Sequence, residues 1–440
     1  MNSKILIILF ISLASQYHIC AQDVVKTWYD PDKTMLREKY LILDGDSSKI
    51  DGEYLRYHQD GSLATQGVFE KGIKKGVFTE YYPNGQVSRT MIFENDLRDG
   101  PVKAYDQEGT LLQEASFQRD TLQGTLTIYF PDGNLKSISE FKKGMPDGIV
   151  KEYYANGNIK QSIEYKNGKP NGITKTFYEN EKVHTEANFV NGELNGYFKT
   201  YYRNGQLETE YANQKGNKNG EFSTYNQEGQ LILAGNFLNG QLEGENIGYF
   251  DDGGLKHEFY YENGKKIGLN KEYHPNGAIK SKIRYSNEEL DQAIKTYFDN
   301  GKLATQQQLT AGEPIGKWIE YHRNGEEKVI SIYENGRLQG EQITKSDQGK
   351  VIKREPYVNG ILRGMVKKYD DEGNLVSETT YSSNKKHGKF VSYHINGEIA
   401  EEGKFAGDKK GGVWKQYDRS GKLIKSEEYR NGKILTKTNQ

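Results

Sequence analysis

A period of 24 residues governs this sequence. Stepping by 24 in both directions from the glycine that opens Gly148-Ile-Val-Lys-Glu-Tyr-Tyr-Ala-Asn-Gly157-Asn-Ile visits sixteen positions, from Gly52 to Gly412. Fifteen are Gly and one is Gln292, and no insertion or deletion interrupts the series. Counting offsets from each opening position, a second Gly stands at nine, with Glu181 the exception. Tyr or Phe stands at five except at Lys345, and Leu, Ile or Val at eleven except at Glu327. An aromatic stands at seventeen in fourteen repeats, Asn213 and Leu309 departing. Gly76, Tyr81, Gly85, Gly148, Tyr153, Gly157, Gly172, Gly196, Tyr201 and Gly205 are examples of these repeat-defining structural positions. A period of this size implies identical supersecondary units, each packed on its neighbours.

The turn residues say what one repeat folds into. Offsets eight and nine read Asn-Gly or Asp-Gly in most repeats, as at Asn84-Gly85, Asp132-Gly133, Asn204-Gly205 and Asn276-Gly277. That dipeptide accepts positive φ at both positions and is the strongest short hairpin signal. Segments of about six and eight residues, rich in Tyr, Phe, Val and Ile, flank it and suit strands. A second turn, typified by Asn167-Gly168-Lys169-Pro170-Asn171-Gly172, closes the repeat. The expected fold is all-β: an elongated array of stacked antiparallel hairpins, 16 repeats of 24 residues over 52–435. About 32 strands at ~4.8 Å spacing imply a rod of about 150 Å. Residues 22–51 lack the spacing and read as a diverged half-repeat capping the N-terminal edge, and 436–440 as a short polar tail.

Composition removes several functions. Lys plus Arg number 60 against 61 Asp plus Glu, so the chain has no basic excess for nucleic acid or an anionic membrane. Hydrophobic residues are only 34%, yet 32 tyrosines and a net charge of −1 argue for folding over disorder. Residues 1–21 read as a secretory signal: Lys4, the apolar stretch Ile5 to Leu13, and Ile19-Cys20-Ala21 before the cleavage point. The stretch is too short for a bilayer span, and Ile19 before Cys20 disfavours lipid anchoring. Cleavage after Ala21 removes the single cysteine and with it any disulfide or thiolate. The expected location is periplasmic, cell-surface or secreted.

The repeat resembles the MORN repeat in its bacterial variant form, close to G-x-x-x-x-Y-Y-x-N-G-x-L-x-x-x-x-x-Y-x-N-G-x-x-x-G. Gly148 to Gly172 and Gly196 to Gly220 show it almost unaltered. Such repeats serve as scaffolds and interaction surfaces. The resemblance extends to YwqK-like antitoxin components, which implies toxin neutralisation by direct binding.

No catalytic, metal or cofactor site is expected. His58, His274, His322 and His394 all fall at offset six, where other repeats carry Tyr82, Tyr154, Tyr178 or Tyr202, so they belong to an aromatic row rather than a ligand set. Carboxylates are scattered among Lys and Arg, and no Gly-rich turn precedes a helix as a phosphate site requires. By strand parity, offsets five, eleven and seventeen should share one buried face. Offset two (Phe78, Phe198, Phe222, Trp318, Phe390, Trp414) and offset six are also aromatic. Either a bulge between two and five turns all of them inward, or Tyr82, Phe130, Tyr154, Tyr178, Tyr202, Phe250 and Phe298 form a partner-binding stripe. The irregular stretch Asn287 to Lys345 reads as drift or as a specialised contact zone. The expected function is an exported, non-enzymatic scaffold that binds a protein or polysaccharide partner through an extended β-surface; the alternative is an antitoxin or immunity protein.

Overall fold

The computed structural model describes residues 22–43, 45, 46 and 49–439, so the signal reading of residues 1–21 lies outside the described residues. The chain divides into two compact bodies, one ending at Gly205 and one beginning at Gln206. The first holds the strands from Gln22–Trp28 to Glu193–Tyr201, the second those from Leu207–Gln214 to Lys433–Asn439. Within each body the strands follow one another as antiparallel hairpins, and no helix occurs among the described residues.

The repeat beginning at Gly148 shows the design. Strand Gly148–Tyr153 pairs with Ile159–Lys166. Gly148 faces Tyr165, Val150 faces Ile163 and Glu152 faces Gln161, after which the register shifts so that Tyr153 faces Ile159. The unpaired residue at offset twelve is a β-bulge, which changes the parity of the second strand. Offsets two, fifteen and seventeen therefore share one face, while offset five lies on the other. The expected common face for five, eleven and seventeen is thus wrong at seventeen. The bulge that breaks it lies in the second strand, not between offsets two and five.

A second bulge sits at the opening glycine. Ala187 faces Phe198 and Phe189 faces Leu194, leaving Asn188 opposite Asn195, Gly196 and Tyr197. Gly196 has φ near 105°, a conformation that side chains other than glycine's resist. Gln292 tests the rule. There the ladder runs without a shift from Ser281–Thr296 to Ser286–Asp291. The two residues missing from the bulge reappear in the loop, which lengthens to Asn287–Leu290 with positive φ at Asn287, Glu288 and Glu289. The repeat keeps its 24 residues and changes where two of them go.

The two turns also differ from expectation. At the second turn Asn167 and Gly168 both have positive φ, the geometry of a two-residue type I′ hairpin. At the first turn only the glycine does: Gly85 donates its N–H to the Tyr82 carbonyl at 2.9 Å, a type I turn closed by a left-handed glycine. Asn84 is kept there for its side chain. Its amide reaches the Gln107 carbonyl in the next turn at 2.8 Å, and its oxygen accepts from Gln86 N at 3.0 Å.

Within the segment 22–51, residues 22–43 form a complete hairpin, not a half-repeat. Gln22–Trp28 pairs with Leu36–Leu43, with the same register shift before Trp28. Its turn is two residues longer than the standard one and the following connection three longer, which hid the spacing. The tail expected at 436–440 is strand as far as Asn439, pairing with Leu423–Arg430.

Burial is greatest on one face of a single layer, although Ile319 and Val391 at offset three are buried on the other. Phe78, Phe222, Val366 and Trp414 at offset two and Ala115 and Ala187 at offset fifteen are buried. Aromatic rings run continuously there: Tyr40–Tyr54, Tyr54–Phe69, Phe69–Phe78 and Phe78–Phe93 have centroids 6.1, 5.5, 5.5 and 5.1 Å apart. Large and small residues alternate so that these rings fit. Gly403 lies between Phe390 and Trp414, which stack across it at 5.2 Å. A β-carbon at Gly403 would sit 2.3 Å from the Trp414 ring. Gly403→Ala should therefore destabilise the second body by about 1–3 kcal/mol through overpacking, measured by chemical denaturation; an unchanged midpoint would mean that the indole moves freely.

Candidate functional site

The offset-six row stitches one turn to the next. Tyr82 Oη donates to the Tyr105 carbonyl at 2.8 Å, Tyr154 to Phe177 at 2.7 Å and Tyr178 to Tyr201 at 2.8 Å. His58, His274, His322 and His394 make the same bond through Nε2 at 2.9 Å, to the carbonyls of Tyr81, Tyr297, Lys345 and Tyr417. A carbonyl only accepts, so Nε2 carries the proton in each. Phe130, Phe250 and Phe298 occupy the row without a hydroxyl and lie under Lys136, Lys256 and Arg323. All seven rings proposed as a stripe, Tyr202 included, are half-buried. Among the described residues no group of three or more His, Cys, Asp or Glu side chains could hold a metal ion.

Offset five lies on the opposite face and joins a polar network. Tyr273 Oη donates to Glu258 at 2.6 Å and Lys271 pairs with the same carboxylate at 2.9 Å. The Tyr273 hydrogen bond, then that from Lys271, holds the Glu258 carboxyl below its ordinary range. Tyr417 with Glu402 and Tyr393 with Glu378 repeat the contact. This face also carries a row of exposed apolar residues. Ile149, Ile173 and Tyr197, all at offset one, are 50%, 51% and 50% exposed. Periodicity alone did not single them out, because residue type at offset one varies from repeat to repeat.

The two departures in the irregular stretch compensate each other. Lys345, standing for tyrosine, meets Glu327, standing for leucine, at 2.6 Å. Lys345, with Lys317 nearby, keeps the Glu327 carboxyl below its ordinary value. The change is a matched exchange of packing for an ion pair.

A groove of about 450 Å³ opens on the aromatic face at the N-terminal end. Tyr40, Tyr54 and Phe69 line it, with Arg56 and Glu80 at the sides and Thr65 between them in register. Glu38 anchors one end. It accepts hydrogen bonds from Thr27 Oγ1 at 2.8 Å and Tyr54 Oη at 2.9 Å. Burial, then the hydrogen bond to Glu38, pushes the Tyr54 hydroxyl up to about 12. For Glu38 itself, burial acts upward but is outweighed by the bonds from Thr27, Tyr54 and Arg37, so the carboxyl lies below 4.5.

Comparison with known proteins fits this geometry. The MORN repeat variant family matches residues 74–95, 98–119, 122–143, 146–167, 170–191, 194–212, 266–287, 362–383 and 410–431. The protein is a MORN repeat array. A search of curated proteins finds no match to it. Among solved structures, the array is similar to a chain of the TcdB2–TccC3–Cdc42 crystal structure, at 11% identity and a TM-score of 0.13. The match covers 94% of the array and 26% of that chain. A chain of the Photorhabdus luminescens Tc holotoxin pore gives 12% identity and a TM-score of 0.14, covering 92% and 27%. The array thus spans about a quarter of the length of each of those chains.

Two outcomes are expected. Tyr154→Phe and Tyr178→Phe should each cost about 0.5–1.5 kcal/mol by leaving a turn carbonyl without its donor, measured by denaturation. Glu38 has a lower pKa folded than unfolded, so its contribution is complete above pH 4.5 and is lost as pH falls through the lowered value. Amide protection in Gln22–Trp28 and Leu36–Leu43 should fall on acidification in that window, and Glu38→Gln should abolish the dependence.

Proposed function

We propose that this MORN array is an exported, non-enzymatic scaffold that holds a protein or polymer partner across its sheet. The observation that supports this most is the row Ile149, Ile173 and Tyr197. These are large apolar side chains, one per hairpin, half-exposed at the same offset of successive repeats. Exposed so far, they add little to folding, and successive members lie about 10 Å apart at two strand spacings. Contacts repeated at a fixed spacing add into avidity when the partner is itself extended. Export follows from the reading of residues 1–21 and requires a mature chain that begins at Gln22.

Neutralisation of a toxin by direct binding is the second reading, and it calls for one local zone. The four-residue loop Asn287–Leu290 supplies a candidate, with Leu290 exposed at its end. Pull-down from envelope and culture-supernatant fractions separates the two. Ile149→Ser, Ile173→Ser and Tyr197→Ser combined should abolish retention of the partner while moving the thermal midpoint by no more than about 2 °C. A partner kept by that folded variant and lost with Leu290→Ser would favour the local site. Mass spectrometry of the exported protein checks the Gln22 terminus.

A further inference from the structure

We propose that the N-terminal groove binds a ring of a neutral glycan, with the Thr65 hydroxyl at its floor. The inference deepens the scaffold reading by naming a partner class and rests on it. Thr65 is 8% exposed and its Oγ1 has no hydrogen-bond partner. A buried hydroxyl left unpaired costs stability, and Thr65 is one of the residues that line the groove. On one side it faces Arg56, whose exposed guanidinium makes no ion pair or hydrogen bond among the described residues. On the other it faces Glu80, a carboxylate 3.8 Å from Arg89. The groove therefore offers an unused donor, an accessible acceptor and a hydroxyl beside half-buried aromatic rings.

The occupant follows from what these groups exclude. A peptide added as a strand needs a free sheet edge, but Ile50–Tyr57 is paired on both sides, with Leu36–Leu43 and with Leu63–Glu70. An anion would meet Glu38 and Glu80 as well as Arg56 and Lys74, so the lining gives it no net attraction. A pyranose has the matching chemistry: a C–H face to lie on Tyr54 or Phe69, and a rim of hydroxyls that both donate and accept. The volume of about 450 Å³ lies in the range of small-molecule sites, about 300–1,000 Å³. It accommodates one or two such rings.

Calorimetric titration of the protein with cellohexaose and chitohexaose tests this. At least one should bind, and Thr65→Val should weaken it about tenfold, the loss of one buried hydrogen bond. The same substitution should leave the thermal midpoint unchanged or higher, because it removes an unpaired buried hydroxyl. Arg56→Gln should weaken binding without affecting folding. Absence of binding by either sugar, or binding that survives both substitutions, overturns the proposal. The Ile149, Ile173 and Tyr197 variant lies outside the groove and should bind sugar normally, so failure of the scaffold reading and failure of this one are visible separately.

Discussion

A sheet one layer thick has no second layer to bury its side chains against, and the structure depends on how that lack is met. Each side chain must be covered by its counterparts in the adjacent strands. On the aromatic face the rings lie edge against face or stacked, with Lys74 or Lys410 above them, the latter 3.8 Å from the Trp414 ring. Such contacts contribute a fraction of a kcal/mol to about 2 kcal/mol each. Few side chains are lost to water completely: among the described residues, the largest that are fully buried are Val391 and Asn270. Cohesion is spread thinly and evenly, and no single core exists to lose.

Turn-to-turn bonding supplies what packing cannot. The offset-six hydroxyl or imidazole and the offset-eight asparagine each reach a carbonyl in the following turn, as Tyr178 does to Tyr201 and Asn180 to Arg203. These bonds run across the hairpins rather than within them, so they restrain the twist between successive repeats. Histidine replaces tyrosine there without loss because both present a donor at the end of a flat ring.

The period, the hairpins and the all-β class were legible because glycine and aromatic positions recur without a gap. Faces were not. Parity counting assumes an uninterrupted strand, and the extra residue at offset twelve, set by backbone geometry rather than by a distinctive residue type, reverses it. The Asn-Gly signal located the turn but not its type, because Asn84 is selected for what its amide bonds to and not for its own φ. The hairpin before Ile50 was missed because its extra residues fall in turns, where they break the spacing and leave the pairing intact. Glu327 and Lys345 looked like separate losses, and only their proximity shows that they form a pair. The groove had no sequence signature, since Glu38, Thr65 and Glu80 come from different offsets or from outside the period.

The exchange at Gln292 bears on how such an array can change over time. Two residues moved from a bulge into a loop, and the repeats on either side kept their ladders. What each neighbour requires is a partner strand in phase, and the surplus backbone can be stored at either end of that strand. Local geometry is therefore decoupled from the reading frame of the period. A repeat can be lost, gained or reshaped as a module, and a surface can be built into one hairpin without renegotiating the others.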